Sequence, residues 1–333
     1  MYTAIGYAAQ TPTSPLAPMT FQRRSPRPDD VAIDILYCGV CHSDIHQARN
    51  EWGIAVYPLM PGHEIIGRVT AVGDNVTTHK VGDLVGVGCM VDSCRTCEAC
   101  AKNLEQYCLE GPTMTYATPD RVDGSNTMGG YSDSIVVSEH FVVRIPEKLA
   151  LASAAPILCA GITTYSPLKH HGVKAGHKVG ILGMGGLGHM GIKLAKAMGA
   201  EVTLFTRSAS KAEEGRRQGA DHVIVSTDAV GEPGKRLEQH LAAPPLAVVI
   251  EDDGAIAGAV VDHDHLLDQG MACRHVKNRA NPGRLVIGGD QAGHPPGFCH
   301  SGWQLHAVTQ AAEGRRLAPC RQRGPSSCPA IRT

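Results

Sequence analysis

Cys94, Cys97, Cys100 and Cys108 stand at C-x2-C-x2-C-x7-C spacing. Four thiolates this close along a chain can wrap one tetrahedral Zn²⁺, with Zn–S distances of about 2.3 Å. All four positions around the metal would be taken and none left for a substrate, so the predicted role is structural. The loop they occupy, DSCRTCEACAKNLEQYC, has little apolar content, so a metal would pin what a core cannot. An iron–sulfur cluster can use the same ligand set. Two disulfides would also use all four residues, but they conflict with the reducing compartment argued below.

A second set of metal-type side chains is dispersed. CGVCHSDIH supplies Cys38, Cys41, His42, Ser43, Asp44 and His46; PGHE supplies His63 and Glu64; LCAG, far downstream, supplies Cys159. A catalytic zinc takes about three protein ligands and keeps one position open. Cys41, His63 and Cys159 can form such a Cys₂His set. Taken singly, Cys159 also suits a small core residue, and His63 a capping or core histidine.

GMGGLG at 183–188 fits G-x-G-x-x-G through Gly183, Gly185 and Gly188. It follows the strand-like KVGIL and opens the helical HMGIKLAKAMGA, the setting in which glycines let a helix N-terminus approach a dinucleotide pyrophosphate. Gly186 and Leu187 complete the turn. An NAD site places an acid about 20 residues on, at the end of the second strand. Here EVTLF runs into Thr206, Arg207, Ser208 and then Lys211, and Glu201 stands at the wrong end of the strand. A 2′-phosphate is attracted by those cations and hydroxyls and repelled by a carboxylate. The pattern predicts NADP(H) over NAD(H).

These residues need elements to hold them. Residues 1–150 read as short alternating strands broken by Gly, Pro, Asn and Asp, such as 31–39, 65–73 and 131–138, which suggests a β-rich, barrel-like domain. From 151 the texture is helix, strand, Gly-rich turn, helix, strand, helix, strand, a parallel α/β pattern. The chain has 333 residues, enough for two domains, with 43% hydrophobic and 19% charged residues. A formal net charge of −1 gives no reason to expect nucleic acid or an anionic membrane as partner. The N-terminus lacks a basic segment followed by an apolar one, and no apolar run reaches the roughly 18 residues of a membrane span. The expected location is the cytoplasm, where twelve cysteines suit metal or chemistry better than disulfides.

In chain order, CGVCHSDIH, PGHEIIGRV, the four-cysteine loop, GGYSDSIVV, ILCAGITTYSPL and LGMGGLGHMGIKLAKAMGA resemble the zinc-containing medium-chain alcohol dehydrogenases. The resemblance is strongest to their cinnamyl-alcohol-dehydrogenase-like branch, which includes bacterial NADPH-dependent aldehyde reductases, and it covers residues 1 to about 228. It implies a GroES-like catalytic domain at 1–150 and a Rossmann domain at 151–290, with the active site in the cleft between them. It also implies two zinc ions per chain, a homodimer, and broad use of primary aldehydes. Cys41, His63 and Cys159 match the catalytic zinc ligands, and Glu64 the acid that can approach the metal. Asp44 matches the carboxylate that orients the ligating histidine. Ser43 matches the hydroxyl on the substrate oxygen, His46 the outer end of a proton relay, and His42 a cofactor contact. Without those neighbours, Ser43 and His46 would suit ordinary solvent-facing positions. Trp52 and Tyr116 are candidates to line the substrate pocket, although Trp52 suits a core aromatic equally. Cys38 and Cys89 match no role and read as buried small residues.

Beyond Asp228 the composition shifts. Residues 229–333 hold no Tyr, one Phe, two Lys and nine Arg, with nine Pro, seven His and four Cys. LAVVI (246–250) and RLVIGG (284–289) can be strands, and 291–333 reads as an irregular tail. An out-of-frame read of GC-rich DNA gives such a composition; true divergence is the other reading. A protein that binds zinc and nucleotide without turnover is the alternative that this tail leaves open.

Overall fold

Short runs of β-branched residues set the first half. In the computed structural model, which describes residues 1–225 and the backbone of two later strands, β1 (Tyr2–Ala8) and β2 (Ala17–Arg23) form an antiparallel hairpin. Then follow β3 (Asp30–Cys38), α1 (His42–Ala48), β4 (Ile65–Val72), β5 (Leu84–Val87) and β6 (Met90–Asp92). Next come α2 (Glu98–Ala101), β7 (Thr113–Met114), β8 (Ser134–Ser138) and β9 (Val142–Arg144). Five of these strands make one antiparallel sheet in the order β8-β3-β4-β5-β9, and β6 pairs with β7. Its apolar face buries Val31, Ile33, Ile65, Val69, Val85, Val87, Ile135, Val137 and Val142. Each such side chain contributes about 1.5–3 kcal/mol on burial. Register shifts at Ala32/Ile33 and Ile35/Tyr37 bend β3 against β4. The bent end of β3 leads into the turn that carries Cys41.

The second half alternates helix and strand. A short α3 (Leu151–Ala154) runs into a 3-10 turn over Ala155–Leu158, and α4 (Ala160–His170) leaves it at a bend of 58°. The break falls at Cys159. Then come β10 (Lys178–Leu182), α5 (Gly186–Ala197), β11 (Glu201–Thr206), α6 (Ala209–Gln218) and β12 (His222–Val225), with β10, β11 and β12 parallel in that order. In α5 the buried residues Gly188, Gly191, Ile192 and Ala195 fall three and four apart, one helical face. That face packs with Leu168, Val179, Ile181, Val202 and Leu204. α6 closes on Gly219 in the left-handed region, φ 114°, the usual helix stop.

β13 (Leu246–Ile250) is a strand at the apolar run expected there, antiparallel to β14 (Gly258–Asp262). The expected strand at 284–289 and the tail at 291–333 lie outside the described residues. So does the unit Val276–Thr333; all that follows lies within the unit Met1–His275. Among the described residues no single helix is long and apolar enough to cross a membrane.

An ion-pair cluster ties the segment before β3 to the loop before β8. Arg27 donates to Asp120 through both terminal nitrogens, at 3.1 and 2.9 Å, and to Asp123 at 2.8 Å, while Arg24 pairs with Asp30. Burial alone would raise the Asp120 carboxyl. The Arg27 bonds and the N–H groups of Val122 and Asp123 outweigh it and hold the group below its ordinary value. A carboxylate depressed in this way stabilises the fold above the usual carboxylate range, and that stability is lost as pH falls through and below it. Asp120→Asn is therefore expected to cost about 1–2 kcal/mol at neutral pH. In urea unfolding series the cost should shrink below about pH 4; a cost that does not vary with pH contradicts this account of the cluster.

Candidate metal centres and cofactor turn

The dispersed residues converge. Cys41 caps the start of α1 with extended backbone, and Asp44, one turn in, reaches back to accept its N–H at 3.0 Å. The other Asp44 oxygen accepts the Gly62 N–H and the His63 Nδ1–H, both at 2.9 Å. Asp44 is 2% exposed. Burial works against its charge, but the His63 hydrogen bond and charge and the two N–H donors hold its pKa below the ordinary value. An ionised carboxylate only accepts, so Nδ1 of His63 carries the proton there and Nε2 is directed the other way. Nε2 lies 3.2 Å from Cys159 Sγ, which lies 3.9 Å from Cys41 Sγ.

Cys159 arrives from the α3–α4 break. The segment leading to it packs Leu151, Ala154, Ala155 and Leu158 against Ile66 and Ile145 of the β-rich half. Hydrophobic docking thus carries a residue 96 positions from His63 into contact with it. The three ligand atoms, two sulfurs and one imidazole nitrogen, lie within 4.8 Å of one another. Burial disfavours a charge on His63, yet bonds to Asp44, Cys159 and Cys41 outweigh it and push the imidazole up to about 12. The Cys159 sulfur, then burial, push the Cys41 thiol up to about 12. Soft donors crowded face to face in a buried position are what a Zn²⁺ ion satisfies, so this set fits that metal.

The four-cysteine loop closes on itself. Cys94, Cys97, Cys100 and Cys108 bring their sulfurs within 4.8 Å of one another, between β6 and β7. Backbone N–H groups point at the sulfurs: Cys97 N–H at Cys94 Sγ, 3.3 Å, and Leu109 N–H at Cys97 Sγ, 3.4 Å. The N–H groups of Cys97 and Thr96 pull the Cys94 thiol down to about 6. Donors aimed at sulfur favour thiolate, the form that binds metal. All eight described cysteines are free of disulfides.

The remaining predicted residues sort plainly. Glu64 is buried against Gly39, and burial raises its carboxyl; it is not among the converging donors. His46 does not bond Ser43 among the described contacts. Its Nδ1 meets Glu51, its ring stacks on His42 at 4.5 Å and 4°, and Trp52 leans on it at 5.3 Å. Trp52 is 36% exposed, which excludes a core position, whereas Tyr116 is buried with its ring 5.9 Å from His63. Cys38 and Cys89 are partly exposed, not buried as expected. Cys38 is the last residue of β3, paired with Ile65 and packed at the edge of the sheet's apolar cluster, and Cys89 lies in the short link between β5 and β6. Sequence reasoning missed Glu51: it follows the end of α1, and only the turn through Asn50 (φ 54°) folds it back onto His46.

On the parallel sheet, Leu182 pairs with Phe205, and the Gly183 N–H donates to the Phe205 carbonyl at 2.8 Å. The glycine turn and Thr206–Arg207–Ser208 are therefore side by side at one end of the strands. Glu201 is at the other end, opposite Lys178 and bonded to His222. A Cβ on Gly188 would stand 2.3 Å from the Gly183 carbonyl oxygen, so the tight turn requires glycine there. His42, Gly186, Arg207 and Lys211 are exposed; Leu187 and Ser208 are half-buried. Neither Arg207 nor Lys211 forms an ion pair among the described residues. The turn, a helix start and free cations fit a dinucleotide carrying an extra phosphate.

Two domain families match the chain: Alcohol dehydrogenase GroES-like domain at residues 27–147 and Zinc-binding dehydrogenase at residues 186–255. The chain is similar to NADP-dependent alcohol dehydrogenase C of Mycobacterium bovis, 54% identical over 228 residues, covering 68% of this chain and 66% of that protein. It is similar to the aldehyde reductase YahK of Escherichia coli, 56% identical over 223 residues, covering 66% and 63%. The chain thus spans just under two thirds of the length of these curated relatives. Among solved structures it is similar to a cinnamyl alcohol dehydrogenase of Sorghum bicolor, with a TM-score of 0.72 and 41% identity over 81% of each chain.

Proposed function

This chain belongs to the zinc-containing medium-chain alcohol dehydrogenase family, and from that premise we propose that it interconverts primary alcohols and aldehydes with NADP(H). The observation that carries the reading is the meeting of Cys41 Sγ, His63 Nε2 and Cys159 Sγ from three distant stretches of chain. These residues would hold the catalytic zinc, and the four-cysteine loop a structural one. Zinc bound by the Cys₂His set supplies Lewis acidity toward a carbonyl oxygen, and NADPH supplies the hydride.

The chain's own residues supply the rest. Asp44 fixes the His63 tautomer and, through the Cys41 N–H, the start of α1. We assign to Ser43 the hydrogen bond to the substrate oxygen and to His46 the exchange of its proton with solvent. The two are three residues apart on α1, hence on one face. With Nδ1 of His46 turned to the Glu51 carboxylate, its Nε2 is buried without a partner and is the nitrogen able to accept. Trp52 lies against His46 and Tyr116 against His63, and these two are the candidates to contact the organic part of the aldehyde. The turn at 183–188 would hold the pyrophosphate, and Thr206, Arg207, Ser208 and Lys211 the 2′-phosphate. The free thiols support a cytoplasmic setting, and the near-zero net charge supports a small-molecule partner over nucleic acid or membrane.

Following NADPH oxidation with a simple aldehyde tests the reading. We expect kcat/KM with NADPH to exceed that with NADH. Arg207→Asp should shift the ratio toward NADH by about 10–100-fold, the worth of one strong charge-assisted contact. A wild-type ratio below one contradicts the cofactor assignment. Absence of turnover with both cofactors contradicts the activity.

A further inference from the structure

The segment GGYSDSIVV has no role in the mechanism so far, yet Tyr131 lies beside the Cys₂His centre. Asp44 accepts four hydrogen bonds. Three come from the ligand segments themselves: the Cys41 N–H, the Gly62 N–H and the His63 Nδ1–H. The fourth is the Tyr131 hydroxyl, 3.2 Å from the same Oδ2 that holds Cys41, and it comes from 87 residues away. We propose that Tyr131 is a positioning residue for the metal centre, holding Asp44 and through it both His63 and the turn of Cys41.

The backbone around Tyr131 is built to place that hydroxyl. Gly129, Gly130 and Tyr131 donate their N–H groups to the carbonyls of Met60, Gly62 and Pro61, at 2.8, 2.8 and 3.0 Å. This clasp binds the GGY turn to the residues immediately before His63. The Tyr7 N–H donates to the Tyr131 carbonyl at 2.8 Å, so β1 anchors the clasp from the other side. Gly62 has φ +104°, and a Cβ there would stand 2.7 Å from the Tyr131 ring. The ring is thus seated against the His63 segment. Removing the hydroxyl takes from Oδ2 the donor that the GGY turn supplies and loosens the carboxylate's hold about its Cβ–Cγ bond. His63 and Cys41 then lose their shared reference.

The proposal rests on the metal-centre reading above, and the test separates the two. Wild-type and Tyr131→Phe protein are loaded with zinc, and release of each ion to a chromogenic chelator is timed. Two kinetic phases are expected from wild type, one per centre. Partners one bond from a ligating histidine are worth about 10–100-fold in metal affinity. Tyr131 is one bond further out, so Tyr131→Phe should release one zinc about 3–10-fold faster, with the four-cysteine phase and the melting temperature unchanged. In cobalt-substituted protein the visible bands of the Cys₂His centre should shift. Combined with Asp44→Asn, Tyr131→Phe should add nothing further, because it acts through Asp44. Wild type with two phases and a Tyr131→Phe trace that superimposes on it overturns the role of Tyr131. Wild type that releases a single zinc overturns the metal-centre reading, and the proposal with it.

Discussion

Cys159→Ala is expected to lower kcat for aldehyde reduction by about a thousandfold and to take zinc from about two ions per chain to about one. The magnitude follows from the several kcal/mol that a Lewis-acid metal contributes to a developing charge, at about 1.4 kcal/mol per factor of ten. Cys159 is the one member of the set delivered by the 151–158 segment, and it lies at the break between two helices. Its loss leaves Cys41 and His63 with two donors, too few for a tight zinc site. The hydrophobic docking of Leu151, Ala154, Ala155 and Leu158 on Ile66 and Ile145 does not depend on the sulfur, so the fold should survive. Metal analysis beside steady-state kinetics and a melting curve reads all three effects. Undiminished turnover in the variant contradicts the assignment of this residue.

Cys100→Ser should act on stability instead. Its sulfur is buried, 3.8 Å from Cys94 Sγ and 3.5 Å from Ser93 Oγ, in a lobe built from two short helical turns and a two-stranded ribbon. The lobe has almost no apolar core of its own: Leu104 and Leu109 are 41% and 77% exposed. A structural zinc contributes folding free energy outright. If even about 4 kcal/mol of it is lost here, the melting temperature falls by roughly 8–16 °C for a chain of this order of size. Limited proteolysis should then cut within residues 93–111, where wild type resists, and one zinc should be missing. An unchanged melting curve and digestion pattern would show that the lobe does not depend on metal.

The two metal sets differed in how far they could be read from residues alone. The four-cysteine set is local, and short spacing restricts four sulfurs to one neighbourhood whatever the rest of the chain does. The Cys₂His set is not local. Nothing between His63 and Cys159 states that they meet, because the meeting depends on a sheet, a hydrophobic dock and a helix break. Ligand chemistry allowed the three to form one set, and the family resemblance singled that set out. The glycine turn was legible as strand–turn–helix because its strand, glycines and helix are consecutive, and the lack of an acid after β11 is a local fact as well. Glu51 and Tyr131 left no such mark. One is returned to His46 by a turn after a seven-residue helix, and the other reaches Asp44 across 87 positions by a backbone clasp. Cys38 and Cys89 are only partly buried, because each stands at the end of a strand or in a link between strands, where one side of the residue is left open.

The most direct test of the central claim is an anomalous difference map at the zinc absorption edge, from crystals of the chain grown with zinc. Two peaks are predicted per chain, one among the four-cysteine sulfurs and one within bonding distance, about 2.0–2.3 Å, of Cys41 Sγ, His63 Nε2 and Cys159 Sγ. A map with the first peak and nothing at the second position would contradict the account.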